Sequence, residues 1–209
     1  MPNRNRVTPW GGIEAIPLRG AWTGNRGVLH LGHEIVRQHA GDLWITCELE
    51  FRGRWREQWI PHRYTHLYFH DEAVSFAAGH RPCAECRRAS YNAYRYAWSD
   101  ELHVEVPSAK DMNRRLHGER LVAGTRQRRI HLLPWPDLPD GTFVTVHNTA
   151  NLVIDGQLVE WTRNGYGARH TRPTRGEAQV ITPPATVAVL RAGYPVQIDD
   201  TARFTERNQ

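Results

Sequence analysis

Cysteine is scarce in this chain, with three in 209 residues, Cys47, Cys83 and Cys86. An odd three cannot all pair, so a disulfide framework is excluded as the basis of the fold. The N-terminus, MPNRNRVTPW, lacks the apolar segment of a secretory leader. No run approaches the roughly 20 apolar residues of a membrane span. These absences set the expectation of a cytoplasmic protein with no membrane partner. Lysine is almost missing, since Lys110 is the only one among 27 basic residues. Also absent are a phosphate loop of the Gly-x4-Gly-Lys type and a His-Glu-x-x-His zinc signature, which leaves any catalytic residue unknown at this level.

What is present argues for a packed protein. Hydrophobic residues make up 40% of the chain and there are eight tryptophans, too many for general disorder. The length allows one large domain or two small ones. The net charge of +5 is carried by arginine, whose planar fork suits phosphate or guanine. Codon usage in a GC-rich genome is the bland alternative.

Along the chain, Arg19–Gly27 combines glycines with Arg19 and Arg26, a pattern that either closes around an anion or simply turns between strands. Leu43–Ile60 alternates as a hairpin, with Arg52-Gly53-Arg54 at its turn and Cys47 on the apolar face. Cys47 there is either a buried free thiol or a metal ligand. Thr65–Phe69 reads as a strand entering a short helix, capped at His70 or Asp71 and ended by Gly79. Arg87–Trp98 and Ser108–Glu119 read as helices, the second opened by a capping-box pair, Ser108 and Asp111. The stripe Tyr91, Tyr94 and Trp98 serves as core or as a base-stacking platform. After the proline-marked stretch 134–139, strands are expected at Thr142–His147, 152–154, 157–161, 178–181 and 195–198. Asp155-Gly156 is a hairpin dipeptide, and Arg163–Gly176 reads as an exposed loop. Pro183-Pro184 opens a helix that Gly193 ends.

The most informative stretch is Phe69–Arg88, FHDEAVSFAAGHRPCAECRR. Cys83-x-x-Cys86 presents two sulfurs to one point, half the ligand set of a tetrahedral metal. Redox pairs share this spacing, but no long apolar strand leads into it and the flank is arginine-rich.

These residues, with Ala-Ala-Gly-His-Arg-Pro-Cys-Ala-Glu-Cys at their centre, resemble the second half of the Ada-type metal-binding domain. That domain occurs in bacterial DNA alkylation-repair regulators and is appended to nucleases and other DNA-handling proteins. A second resemblance, to bacterial proteins that couple Gly-Asn-Arg-Gly-x-Leu-His to Arg-Pro-Cys-x-x-Cys-Arg-Arg, extends along most of the length and brings no activity with it. The Ada-type resemblance implies Zn2+ on Cys83 and Cys86. It also implies a third ligand at His30, which stands where the family has its first cysteine after Thr-Gly, with Cys47 as the fourth and His33 close behind. The family's methyl-accepting cysteine has no counterpart here.

The resulting expectation is an α+β chain. An Ada-like zinc-knuckle domain with a hairpin and helices would span 1–133, and a small β-rich partial barrel 134–209. Its function would be that of a zinc-containing nucleic-acid-binding protein, with DNA as the partner and repair or processing as the setting. Arg26, Arg81, Arg87 and Arg88 would contact phosphate, and protein partners are not indicated. The alternative is a hydrolase or nuclease with a structural zinc, built around Gly24–Gly27, Asp71 or Glu72, and His117 with Glu119.

Overall fold

The computed structural model of the chain describes residues 2–53 and 57–203. Its first sheet is assembled from short pieces: β1 (Arg6–Val7), β2 (Ile13–Glu14), β3 (Trp22–Asn25), then, past the two-stranded ribbon β4 (His30–Leu31) and β5 (Glu34–Ile35), β6 (Ile45–Cys47) and β7 (Leu67–Phe69). Helix α1 (Glu72–Ala77) follows, then β8 (Arg81–Pro82), α2 (Arg88–Leu102) and α3 (Ala109–Arg120). The strand order is β2-β1-β7-β3-β6-β8, with β1 parallel to β7 and β6 parallel to β8.

The second sheet is formed by β9 (His131–Pro134), β10 (Phe143–Val146), β11 (Thr149–Ile154), β12 (Gln157–Thr162), β13 (Gly165–Thr171) and β14 (Glu177–Val180). It is antiparallel throughout, in the order β13-β12-β11-β10-β14-β9. The turn between β11 and β12 is the expected dipeptide, and Asp155 and Gly156 both take positive φ, as a two-residue hairpin of matching twist requires. Helix α4 (Pro184–Arg191) follows, and a 3-10 turn at Asp200–Ala202 comes after it. The fold is α+β.

Helix starts follow local rules. Asp71 caps α1 by accepting from the Val74 N–H at 2.8 Å, and Gly79 leaves the helix at φ 91°. Ser108 and Asp111 form a reciprocal capping box on α3. The Tyr91, Tyr94 and Trp98 stripe is core, packed with Phe76, Met112 and Leu116 and with Val189 and Tyr194 of the C-terminal part.

Alternation in β11 covers both faces of the second sheet. Leu152 and Ile154 meet Ala73, Val74 and Ala77 of α1, while Val153 joins Val187 of α4 on the other face. Residues on both sides of position 133 therefore share two apolar clusters. Burying a side chain such as Phe76, 0% exposed, contributes about 1.5–3 kcal/mol, so α1 is held by the whole molecule.

Three expectations change. Among the described residues of Leu43–Ile60 the one strand is β6, three residues long, and it pairs with β3 and β8, which are distant in sequence, rather than with a neighbouring arm. The expected hairpin turn and second arm run into residues 54–56, outside the described residues. Arg163–Gly176 contains strand β13, because β12 offers it a full pairing edge. Residues 195–198 form no strand, since Gln197 spends its backbone on Glu72 and Ala73.

Candidate metal centre

Strand β6 lies between β3 and β8, and its alternation sorts two environments. Trp44, just before it, and Thr46 are 3% and 0% exposed, while Ile45 and Cys47 line an open cleft of about 380 Å³. The apolar-looking side thus faces the cleft and the polar-looking side faces the core. Thr46 is reconciled with burial by donating its hydroxyl to Ser75 Oγ at 2.9 Å, which in turn donates to the Glu72 carbonyl. Close approach of β6 to β3 depends on Gly24, where a Cβ would lie 2.1 Å from the Ile45 carbonyl oxygen.

Parallel pairing then delivers the knuckle to Cys47. The Cys83 N–H donates to the Thr46 carbonyl at 2.9 Å. The following turn aims the Glu85 N–H at Cys83 Sγ, 3.4 Å away. The sulfurs of Cys47, Cys83 and Cys86 all lie within 4.8 Å of one another. Tetrahedral zinc, with Zn–S of about 2.3 Å, needs sulfurs about 3.8 Å apart, so the three thiols fit a metal with little movement. Three ligands leave a fourth position, and the cleft that all three cysteines line also has Tyr64, His66 and Glu85 in its wall.

Electrostatics favour a cation here. The Cys83 thiol is held down to about 5, chiefly by the Cys47 thiol and then by the backbone N–H groups of Cys86 and Glu85, against the opposing effect of burial. Cys86 is lowered by the same Cys47 contact, against burial, with help from the Glu48 N–H. Cys47, hydrogen-bonded to both, is pushed up. Without metal, Cys47 is thus the thiol that holds its proton most firmly, and metal entry would displace that proton.

His30 is not brought to the sulfurs. Its Nδ1 is 2.6 Å from Thr65 Oγ1 and its Nε2 is 3.2 Å from the Ile60 carbonyl. The Thr65 hydroxyl accepts the Leu29 N–H, so it donates to Nδ1 and leaves Nε2–H for Ile60. Both ring nitrogens are engaged and no lone pair is left for a metal. His33 is exposed and stacks on Trp59.

The arginines chosen for phosphate contact divide sharply. Arg81 is buried and donates to Asn113 and to the Pro82 carbonyl. Arg87 is buried, 2.6 Å from Glu72, with its guanidinium over Trp22. Arg26 is 1% exposed. Only Arg88 is on the surface. Local sequence sets Arg81, Arg87 and Arg88 beside the knuckle but does not fix which way each side chain points.

The alternative acid–base set does not converge. Asp71, whose carboxyl burial pushes up, is bonded to Val74, Tyr166 and Asp199. Glu72, also raised by burial, is bonded to Arg87, Tyr194 and Gln197. Glu119 holds Arg115 and the Ala185 N–H, and His117 faces Arg120. Among the described residues the three cysteines are the one cluster of potential ligands.

No helix among the described residues is long and apolar enough to cross a membrane. No protein-family model matches the chain, and no curated protein or solved structure matches it.

Proposed function

We propose that the chain is a zinc-thiolate protein that binds nucleic acid, with DNA as its partner and repair or processing as its setting. The observation that carries this reading is the convergence of Cys47, Cys83 and Cys86 at the edge of an open cleft. The Ada-type resemblance of Phe69–Cys86 supports zinc as the metal. The segment that bears it consists of a capped helix, a left-handed glycine, and Arg-Pro leading into both cysteines. In the cleft wall Arg63 is exposed, as is Tyr64 at 46%, and the exposed Arg52 lies over the ring of the wall residue Phe51, a combination suited to phosphate contact and base stacking. Arg88 extends the basic surface beyond the knuckle.

The test is binding of labelled duplex and single-stranded DNA to zinc-loaded protein between about 50 and 200 mM salt. Contacts to several phosphates predict an affinity loss of tenfold or more over that range, with Arg63→Ala and Arg88→Ala reducing the slope. A flat response at micromolar protein removes the reading.

One feature favours a second reading, a hydrolase acting on nucleic acid or a nucleotide. A metal held by three side chains with an open fourth position can polarise a phosphoryl oxygen or lower the pKa of bound water. Cleavage of the labelled strands by zinc-loaded protein, lost in Cys83→Ser, would select it over simple binding.

A further inference from the structure

On the other side of β6 from the thiols, the protein buries positive charge without an anion. Two guanidiniums lie over the Trp44 indole, Arg26 at 4.0 Å and Arg120 at 3.8 Å from its ring centroid. Arg26 and Arg120 are 1% and 0% exposed. Arg128 is half-buried and points its Nη1 and Nη2 at the carbonyls of Ala77, Ala78 and Ile181.

All three bind neutral acceptors. Arg26 donates to His80 Nε2 at 3.1 Å and to the Gly11 carbonyl at 2.8 Å. Arg120 donates to the carbonyls of Gly79 and Asp42, both at 2.8 Å. Among the described residues no carboxylate reaches ion-pair distance of any of them. Burial, followed by the neighbouring arginines, pushes the pKa of Arg26 and Arg120 down, but guanidinium starts so high that it stays protonated. Unpaired buried charge is costly, and two such groups on one indole concentrate the cost.

The cluster borders a cavity of about 400 Å³. Arg26 and Arg128 line it, and Arg26 Nη2 and Arg128 Nε are buried with no hydrogen-bond partner. Arg4, Arg126, His39 and Trp10 contribute further wall, with Arg126 exposed at the rim. The one carboxylate in the wall, Glu14, is taken by Arg163 at 2.7 Å. A planar carboxylate ligand is saturated by a single fork, whereas a tetrahedral dianion accepts donors from several directions. Two aromatic rings and volume beyond that of the anion leave room for the group attached to it.

We infer that this cavity binds a phosphate monoester, with Arg26 and Arg128 at its floor and Arg126 at its mouth. The site is distinct from the thiolate cluster and does not depend on the metal. The ester could be a mononucleotide or the 5′-phosphate of a strand end.

The experiment is calorimetry and thermal unfolding of the zinc-loaded full chain. Its probes are inorganic phosphate, a nucleoside monophosphate, and a short oligonucleotide with and without a 5′-phosphate, each against chloride of equal ionic strength. Saturable phosphate binding is expected, with Tm raised by roughly 4 °C or more at saturation. Arg126→Ala should weaken it at least about tenfold while keeping the fold, and Arg26→Gln should abolish it. Tighter binding of the monophosphate than of inorganic phosphate assigns the mononucleotide. A gain confined to the 5′-phosphorylated strand assigns the strand end. Absence of saturable binding by every phosphate probe overturns the site, and so does affinity unchanged by Arg126→Ala. The inorganic phosphate arm is read independently of whether unphosphorylated DNA binds, so this site and the proposed function fail separately.

Discussion

Arg87 Nη2 lies 2.6 Å from a carboxylate oxygen of Glu72, and both side chains are nearly fully buried. The pair joins the residue after Cys86 to the first residue of α1. Glu72 also accepts from the Tyr194 hydroxyl at 2.9 Å and the Gln197 N–H at 3.1 Å. One carboxylate thus ties the knuckle to both α1 and the C-terminal segment.

Removing one partner leaves the other charge buried and unpaired, so Arg87→Ala should cost about 3–5 kcal/mol. Urea unfolding should show a lower midpoint at unchanged slope. A loss under about 1 kcal/mol would mean that Glu72 takes up a proton and the pair contributes little.

Zinc content separates the ligand assignments. Cys47→Ser, Cys83→Ser and Cys86→Ser should each lower bound zinc below one per chain after dialysis against a mild chelator. His30→Ala should retain it, because His30 is committed to Thr65 and Ile60. Metal analysis of the four variants decides the point, and zinc loss in His30→Ala with the fold intact would restore it as a ligand.

Gly24→Ala should disrupt the centre from a distance. Its Cβ would meet the Ile45 carbonyl oxygen at 2.1 Å and the Phe69 ring at 2.9 Å. Rigid backbone and a core ring cannot give way, so β6 must move and Cys47 with it. Both a stability loss of about 1–3 kcal/mol and weaker zinc retention are expected. Normal retention would show that the knuckle and Cys47 adjust independently of β3.

Acid should weaken the protein through histidine. His80 is buried and its pKa is pushed well down by burial and by the charges of Arg26 and Arg120. His39 and His117 are lowered as well, burial again leading. A histidine lowered in the folded state is protonated first in the unfolded chain, so its stabilising contribution is full above about pH 6.5 and is lost below it. Asp71 and Glu72, raised by burial, act in the opposite sense. Their window runs from the raised folded value down to the unfolded value near 4. Unfolding midpoints between pH 7.5 and 5.5 should fall, and His80→Gln, which keeps an acceptor for Arg26 Nε, should flatten the fall. An unchanged slope would assign it to the other histidines.

Local structure was legible wherever one side chain satisfies one nearby backbone group. Asp71, Ser108 with Asp111, Gly79 and Asp155-Gly156 all act within three or four residues, so their spacing was enough. The stripe Tyr91, Tyr94 and Trp98 also declared itself, because a helix period marks one face whatever lies opposite. Alternation in 43–51 was visible too, but it carries no information on which strand will pair or which face will be covered.

The helices, the β11–β12 hairpin and the two-sulfur knuckle follow from short-range spacing along the chain. The third sulfur and the direction of the arginines depend instead on long-range strand pairing and packing. The parallel pairing of β6 with β8 sets Cys47 beside Cys83, and the same strand turns Trp44 inward to meet Arg26 and Arg120. These contacts join residues far apart along the chain, and no local pattern encodes the register that brings them together.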